Sequence, residues 1–309
     1  MSDEEPAENI SGGAAGGGQS TTFDPETAGT WAEAIVDHLG EMYWTKTYGG
    51  RDAFECLVRT ILSQNTSDKA SQPAHDELMA RYGSDGGAAS GGGTDADLAR
   101  ALADADQPEL AETISSAGLY NQKSERIIAL AQRICEEYGG EAGFDEFVRD
   151  GDPDAVRSTL LDMNGVGPKT ADCVLLFAGG RGGVFPVDTH VHRIARRMGL
   201  APADADHETV REYLERDVPA EKCGFSSDEY YKVKQDGETI RLREGGVPPE
   251  KCGFGHTAMI QFGREYCKAR KPACLDGEGP EACPLYDLCE RVGIDERNGT
   301  VIDPKESVN

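Results

Sequence analysis

Ala155-Val-Arg-Ser-Thr-Leu-Leu-Asp-Met-Asn-Gly-Val-Gly-Pro-Lys-Thr-Ala-Asp-Cys-Val-Leu175 is the stretch that decides how the rest of the chain is read. Its pattern is helix, Gly-x-Gly hairpin, helix. Gly165 and Gly167 admit backbone conformations closed to other residues and let main chain come close to a ligand. Pro168 suits the first turn of the second helix, and exposed amides at that helix start suit a phosphate. An ordinary tight turn between helices would also accept Gly-Val-Gly. Lys169 adds to the pattern. The positive end of a helix disfavours an ammonium, so a lysine in the first turn is badly placed for stability. It is well placed for the depressed pKa of a nucleophilic amine. Nineteen residues later Val187-Asp-Thr-His-Val191 opens another helix. Asp188 reads there both as an N-cap and as a carboxylate serving the lysine, the two lying on adjacent connections.

Outward from that stretch, helical periodicity dominates. Phe54, Leu57, Val58, Ile61 and Leu62 fall at i, i+3, i+4, i+7 and i+8. Trp31, Ile35, His38, Leu39 and Met42 make a second stripe, and Ile127, Leu130, Ala131 and Ile134 a third. Ala171, Val174, Leu175 and Ala178, then Val191, Ile194, Ala195 and Met198, then Met259, Ile260, Phe262, Gly263 and Tyr266 continue the series. These faces are core, and the fold class is all-α. One segment departs from it. Residues 230–242 alternate around Asp236-Gly237, a β-hairpin signal. The hairpin is bracketed by a repeated octapeptide, Val218 to Phe225 and Val247 to Phe254, and reads as an insert over 226–247. Cys223 and Cys252 are equivalent positions of that duplication.

The 309 residues carry 56 acidic and 31 basic side chains, a formal net charge of −25. Taken globally, that opposes nucleic acid, whose binders show a basic field. Adaptation to very high salt gives a second reading, since a Debye length of a few ångströms screens the repulsion. Two stretches run against the trend: His190 to Arg197, with Arg193, Arg196 and Arg197, and Arg264 to Lys271, with four cations against Glu265. No 18-residue apolar run and no cleavable leader is evident, so the expectation is a cytoplasmic chain without a membrane span. Residues 1–24 read as a disordered acidic, Gly-rich tail and 83–95 as a flexible insert.

Of nine cysteines, four fall in the spacing Cys267-x6-Cys274-x8-Cys283-x5-Cys289. They sit among Lys, Arg, Asp and Pro, whereas packed free cysteines prefer apolar surroundings. Four thiolates suit an iron–sulfur cluster or zinc, although the paired Cys-x2-Cys knuckles common in zinc sites are absent.

The chain resembles the endonuclease III branch of the helix-hairpin-helix DNA glycosylases from about residue 50 to 290. The resemblance rests on Leu62-Ser-Gln-Asn-Thr-Ser-Asp68, Gly118-Leu-Tyr-Asn-Gln-Lys123, Asn164 to Ala171, Val187-Asp-Thr-His190 and the cysteine cluster, in the family's order. It implies a helix-hairpin-helix DNA glycosylase fold with two helical lobes and an iron–sulfur loop. One lobe would span 51–187, and a discontinuous cluster lobe would span 25–50 and 188–309. It further implies a base-excision DNA glycosylase and AP lyase that acts as a monomer on double-stranded DNA with damaged bases or abasic sites. Lys169 would be the nucleophile that displaces an oxidised pyrimidine and forms a Schiff base, with Asp188 assisting and β-elimination cutting the strand. Asn65 and Leu119 would fill the vacated stack, with Gln64, Tyr120, Asn121 and His190 nearby. The amides of Gly165 and Gly167 and the loop carrying Lys268 and Arg270 would meet phosphates. Cys267, Cys274, Cys283 and Cys289 would hold a [4Fe-4S] cluster.

Three departures stand out: an eight-residue middle cysteine gap where the family has two, Asn164 in place of a common proline, and Asn65 where Gln is frequent. The family's adenine glycosylases lack the lysine and carry a catalytic Glu absent from Leu57 to Leu62 here. Mismatch thymine glycosylases have Tyr at the lysine position. A non-catalytic DNA-binding module with structural zinc is the alternative from another class.

The charge generates the first prediction. As a high-salt adaptation, the acidic surface should raise the thermal melting midpoint as KCl goes from about 0.1 M to about 3 M. Cleavage of a damaged duplex should persist near molar salt, where counterion release weakens ordinary DNA binders. A midpoint that falls with salt, with activity best at the dilute end, contradicts the halophilic reading.

Overall fold

The computed structural model describes residues 24–43, 52–83, 97–178, 184–219, 230–235, 238–243, 254–276 and 279–308. The tail expected over 1–24 and the insert over 83–95 lie almost wholly outside these residues, as do Cys223 and Cys252. Two compact units emerge: one from the described residues of Thr47–Arg181, the other from those of Gly18–Lys46 and Gly182–Asn309. Among the described residues, no helix is long and apolar enough to cross a membrane.

Helix α1 (Trp31–Tyr43) belongs to the second unit. The first unit is helical throughout: α2 (Ala53–Ser63), α3 (Asp68–Tyr82), α4 (Leu98–Ala103), α5 (Gln107–Thr113), a 3-10 turn at Ser115–Ala117, α6 (Tyr120–Tyr138), α7 (Glu141–Asp150), α8 (Pro153–Leu161) and α9 (Pro168–Phe177). The predicted stripe of α2 is fully buried at Phe54, Leu57, Val58, Ile61 and Leu62. It packs against α9, which is buried from Thr170 to Phe177. Two adjoining helices with so little solvent face form the centre of this unit. Between α8 and α9 the chain turns through residues 162–167, pinned inward by buried Met163 and Val166. The Val166 amide donates to the Met163 carbonyl at 3.1 Å.

Acidic residues start many of these helices. Asp97, Asp106 and Asp152 each accept from a backbone amide of the first turn. Such caps are worth about 1 kcal/mol each and complement the helix dipole, so part of the acid excess is spent on helix ends.

In the second unit α1 and α10 (Thr189–Met198) each pack against α11 (His207–Asp217) and α12 (Phe254–Glu265). Ile35, Val36, Leu39, Phe185, Ile194 and Met259 lie at its core. Trp31, placed on the α1 stripe by periodicity, is 45% exposed: it opens the helix and has no preceding turn to cover it. The expected hairpin strands are present as antiparallel β1 (Tyr230–Gln235) and β2 (Glu238–Arg243), with Gln235 opposite Glu238. A second small pair, β3 (Ile294–Asp295) with β4 (Thr300–Val301), goes unmarked by any sequence pattern.

Helices α8 and α9 are joined by one charged pair. Arg157 Nε donates to Asp172 Oδ1 at 2.7 Å, with Asp172 only 1% exposed. Arg157→Ala removes that cation from a buried carboxylate and should cost about 3 kcal/mol of stability, read as a lowered midpoint in urea. A change under about 0.5 kcal/mol would class the pair with ordinary surface substitutions.

Candidate active site and metal centre

Three turns of the first unit are tied to one another by side-chain hydrogen bonds. The hairpin presents Gly165 at φ +85°, a conformation that L side chains rarely adopt. A Cβ there would also stand 2.8 Å from the Arg126 side chain. Gly167 departs from the expectation set by its spacing. Its φ of −96° and ψ of 176° are open to any residue, and a Cβ would meet nothing within 4 Å. Its use is therefore the open space around it rather than backbone freedom. Gly167 is the N-cap of α9, Pro168 takes the first turn and no side chain caps the helix. Among the described residues, the Lys169 and Thr170 amides have no protein acceptor, and Lys169, half-buried in this turn, has no carboxylate partner.

The second turn follows α2. Gln64 Nε2 donates to the Gly165 carbonyl at 3.0 Å and to Thr170 Oγ1 at 3.2 Å, stapling the end of α2 to the hairpin. Asn65, exposed, has φ +54°. The third turn is the corner before α6, where Leu119 has φ +50° and is 54% exposed, with Tyr120 42% exposed beside it. Asn121 is exposed on the same turn of helix. Left-handed backbone costs a non-glycine residue about 1–2 kcal/mol, and at Asn65 and Leu119 it thrusts a side chain into solvent. Strain of this kind gathers at functional sites.

The Gly118 to Lys123 motif ends on the group that holds these turns, a residue to which the sequence reading assigns no role. Lys123, 1% exposed, places its ammonium among the Leu62 carbonyl, the Ala117 carbonyl and Thr66 Oγ1. A signal for it exists: Lys123 continues the apolar stripe of Ile127, Leu130, Ala131 and Ile134, where a lysine does not belong.

In the second unit Asp188 caps α10, its Oδ1 accepting from the His190 and Val191 amides at 2.8 and 2.9 Å. Burial holds the His190 imidazole below its usual pKa, against the opposing pull of Asp188. Its Nδ1 accepts from Arg193 Nη2 at 3.0 Å, because a guanidinium cannot accept.

The cysteine pocket adjoins this unit's core. Cys267, Cys274, Cys283 and Cys289 line one space with Phe262 and Leu285, about 390 Å³ counted with its open mouth. One 3-10 turn, Ala273–Leu275, holds Cys274 itself, a second, Gly279–Ala282, lies in the long spacer, and all four cysteines line the same pocket. Among the described residues, no three His, Cys, Asp or Glu side chains converge as a single-ion site. A pocket lined by four soft donors fits a multi-iron cluster. Burial pushes the Cys283 thiol up to about 11 and that of Cys289 to about 12. Those thiols hold their protons at neutral pH until metal displaces them.

The basic stretch of α10 is not a surface patch. Arg197, 3% exposed, donates to Cys267 Sγ at 3.4 Å, the Lys268 carbonyl at 2.8 Å and the Ala269 carbonyl at 2.7 Å. Arg193 holds the Cys267 carbonyl at 3.0 Å, and Arg196 reaches Asp303 at 3.1 Å. These guanidinium groups are consumed in holding loops. Lys268 and Arg270 remain exposed, and Lys271 pairs with Asp276.

A hairpin between buried helices, together with a four-cysteine lobe, defines a class: helical DNA-repair enzymes that carry an iron–sulfur domain. The profile of HhH-GPD superfamily base excision DNA repair proteins matches residues 58–220, and that of the iron–sulfur binding domain of endonuclease III matches residues 267–289. Endonuclease III of Thermotoga maritima is 30% identical over 240 residues, spanning 77% of this chain and 83% of its own length. The structure of a trapped endonuclease III–DNA covalent intermediate, an estranged-adenine complex, is 25% identical with a TM-score of 0.55, covering 83% of this chain and 92% of that one. A non-covalent endonuclease III–DNA complex matches over the same shares at 25% identity and TM-score 0.56. The chain belongs to the HhH-GPD superfamily of base excision DNA repair proteins, in its endonuclease III branch of DNA glycosylases and AP lyases. Its cofactor is a [4Fe-4S] cluster.

Purified without oxygen, the protein should be brown, absorb near 400 nm and contain about four irons. Cys289→Ala should bleach it and loosen the C-terminal lobe. One zinc and no iron would overturn the assignment.

Proposed function

We propose that this enzyme removes oxidised pyrimidines and cuts the strand through a Schiff base on Lys169. The observation that carries this reading is the setting of Lys169. It stands in the first turn of α9, beside two amides without protein acceptors, directly after a hairpin that Gln64 ties to the Asn65 turn. The amides of that turn and the open backbone at Gly167 suit a DNA phosphate. Asn65 and Leu119 enter the stack when the damaged nucleotide leaves it, with Gln64, Tyr120 and Asn121 lining the gap. Extrusion costs a few kcal/mol, least for a damaged or badly paired base.

The Lys169 amine, deprotonated, forms a bond to C1′ as the bond to the base breaks, and the base leaves with the electron pair and takes a proton. The sugar ring opens as the nitrogen bound to C1′ becomes an iminium. Loss of a C2′ proton then expels the 3′ phosphate, and water releases the lysine. Asp188 is the assisting carboxylate, and its Oδ1 also caps α10. Cys267, Cys274, Cys283 and Cys289 hold the cluster, which when bound cross-links the loop they lie on. That loop presents Lys268 and Arg270 to the phosphates, its backbone gripped by Arg197.

Lys169→Ala should abolish borohydride trapping to a thymine-glycol duplex while leaving folding and binding of that duplex within about threefold. Trapping that persists would move the nucleophile elsewhere. Asp188→Asn should cut single-turnover cleavage at least about a hundredfold with binding retained. Unchanged turnover would reduce Asp188 to a cap. A lesion panel with oxidised pyrimidines, uracil mispairs and adenine mispairs should rank the first group highest.

A further inference from the structure

We infer that Lys123 is a positioning residue: its buried ammonium locks the Asn65 turn and the Leu119 corner together in the conformations that present those two side chains. The inference rests on the reading that Asn65 and Leu119 enter the DNA stack. An ammonium has three protons to donate, and here each has its acceptor. They are the Leu62 carbonyl at 2.7 Å, Thr66 Oγ1 at 2.9 Å and the Ala117 carbonyl at 2.9 Å. The acceptors bracket the strained positions. Asn65 lies between Leu62 and Thr66, and Gly118 and Leu119 lie between Ala117 and Lys123 itself. Leu62 lies in the last turn of α2 and Ala117 ends a 3-10 turn, so both carbonyls are of the kind that helix termini leave short of partners. The Thr66 hydroxyl donates a hydrogen bond to the Ala117 carbonyl, closing the link between the two segments. Among the described residues, the exposed side chains of Asn65 and Leu119 make no comparable bond to hold their own backbone. One cation therefore fixes both turns from beneath.

The charge itself matters to this arrangement. Among the described residues, α2, the Thr66 turn and the Ser115–Ala117 turn face Lys123 with carbonyls and a hydroxyl, and the one charge acting on it is Arg126 of its own helix. Burial first, and Arg126 second, lower its pKa to about 8. Above that pH the amine has two protons for three acceptors. Global stability moves the other way. The unfolded lysine keeps its proton to near its ordinary 10.5, so proton linkage raises folding stability between about 8 and 10.5. A merely structural lysine would let DNA binding follow that gain or stay flat, whereas a positioning lysine makes binding fall while the melting point does not.

The test is affinity for a duplex containing a tetrahydrofuran abasic analogue, which the lyase chemistry cannot open, with a parallel melt, from about pH 7 to pH 10. Wild-type binding should weaken about tenfold through pH 8, a shift of about 1.4 kcal/mol. Lys123→Met should bind about tenfold weaker at pH 7 and lose that pH step. The Asn65→Ala, Leu119→Ala double variant should lose the step too, and adding Lys123→Met to it should weaken binding little further. Should Lys123→Met fail to fold, wild type against the double variant still decides. A wild-type profile flat through pH 8, or a step that survives in the double variant, overturns the inference. If the double variant instead binds like wild type at pH 7, the reading of Asn65 and Leu119 as stack-filling residues is what fails.

Discussion

The packing of α2 against α9 is the constraint on which the rest of the first unit depends. Both helices are buried on nearly every face, so neither can rotate or slide without exposing apolar surface. Their ends are fixed as a result. The C-terminus of α2 delivers Gln64 and Asn65, and the N-terminus of α9 delivers the hairpin amides and Lys169. Gln64 needs only one side chain to span them, bonding both Gly165 and Thr170. Rigid helices thus set the separation, and hydrogen bonds set the orientation of the turns. Functional constellations held this way keep their geometry better than free loops do.

The same division of labour explains where the charges went. In a chain with a net charge of −25, a cation is a scarce group. Arg157, Arg193, Arg196, Arg197 and Lys123 all turn inward, onto carboxylates, carbonyls and a cysteine sulfur. Arg197 shows what such burial brings. Its planar fork reaches two carbonyls of the cysteine loop and one sulfur at once, a geometry a lysine cannot supply. Aspartates do the reciprocal task at helix starts, and Asp188 is one of them. The cations left exposed near the cluster are Arg264, Lys268, Arg270 and Lys271, the last of them paired with Asp276. In the proposed function, contact with DNA leans on backbone amides and inserted side chains more than on a long-range field, the opposite balance from a basic DNA binder.

Much of this fold is legible in the residues alone. Periodicity at 3.6 residues marks α2, α6, α9, α10 and α12, because a helix that must bury one face has to repeat its apolar residues at that interval. Asp-Gly in an alternating run marks the β1–β2 hairpin. Pro168 marks the start of α9. The short β3–β4 pair is not legible, since two residues per strand are too few to show alternation. Gly167 is misread because spacing cannot separate a glycine needed for positive φ from one needed for open space.

What the sequence determined by itself was therefore chemistry and order: a hairpin ahead of a lysine, an aspartate at a helix start, and four thiols within one loop. These follow from residue type and local spacing, and local spacing is enough to fix caps, turns and helix faces. Tertiary structure alone decided which polar groups meet across long separations. Gln64 reaches Gly165, Lys123 reaches Leu62 and Arg197 reaches Ala269, each pair at least 61 residues apart in the chain. Nothing local marks such partners. They are selected because a polar group taken out of water must find its complement wherever the packing of apolar helices has carried one.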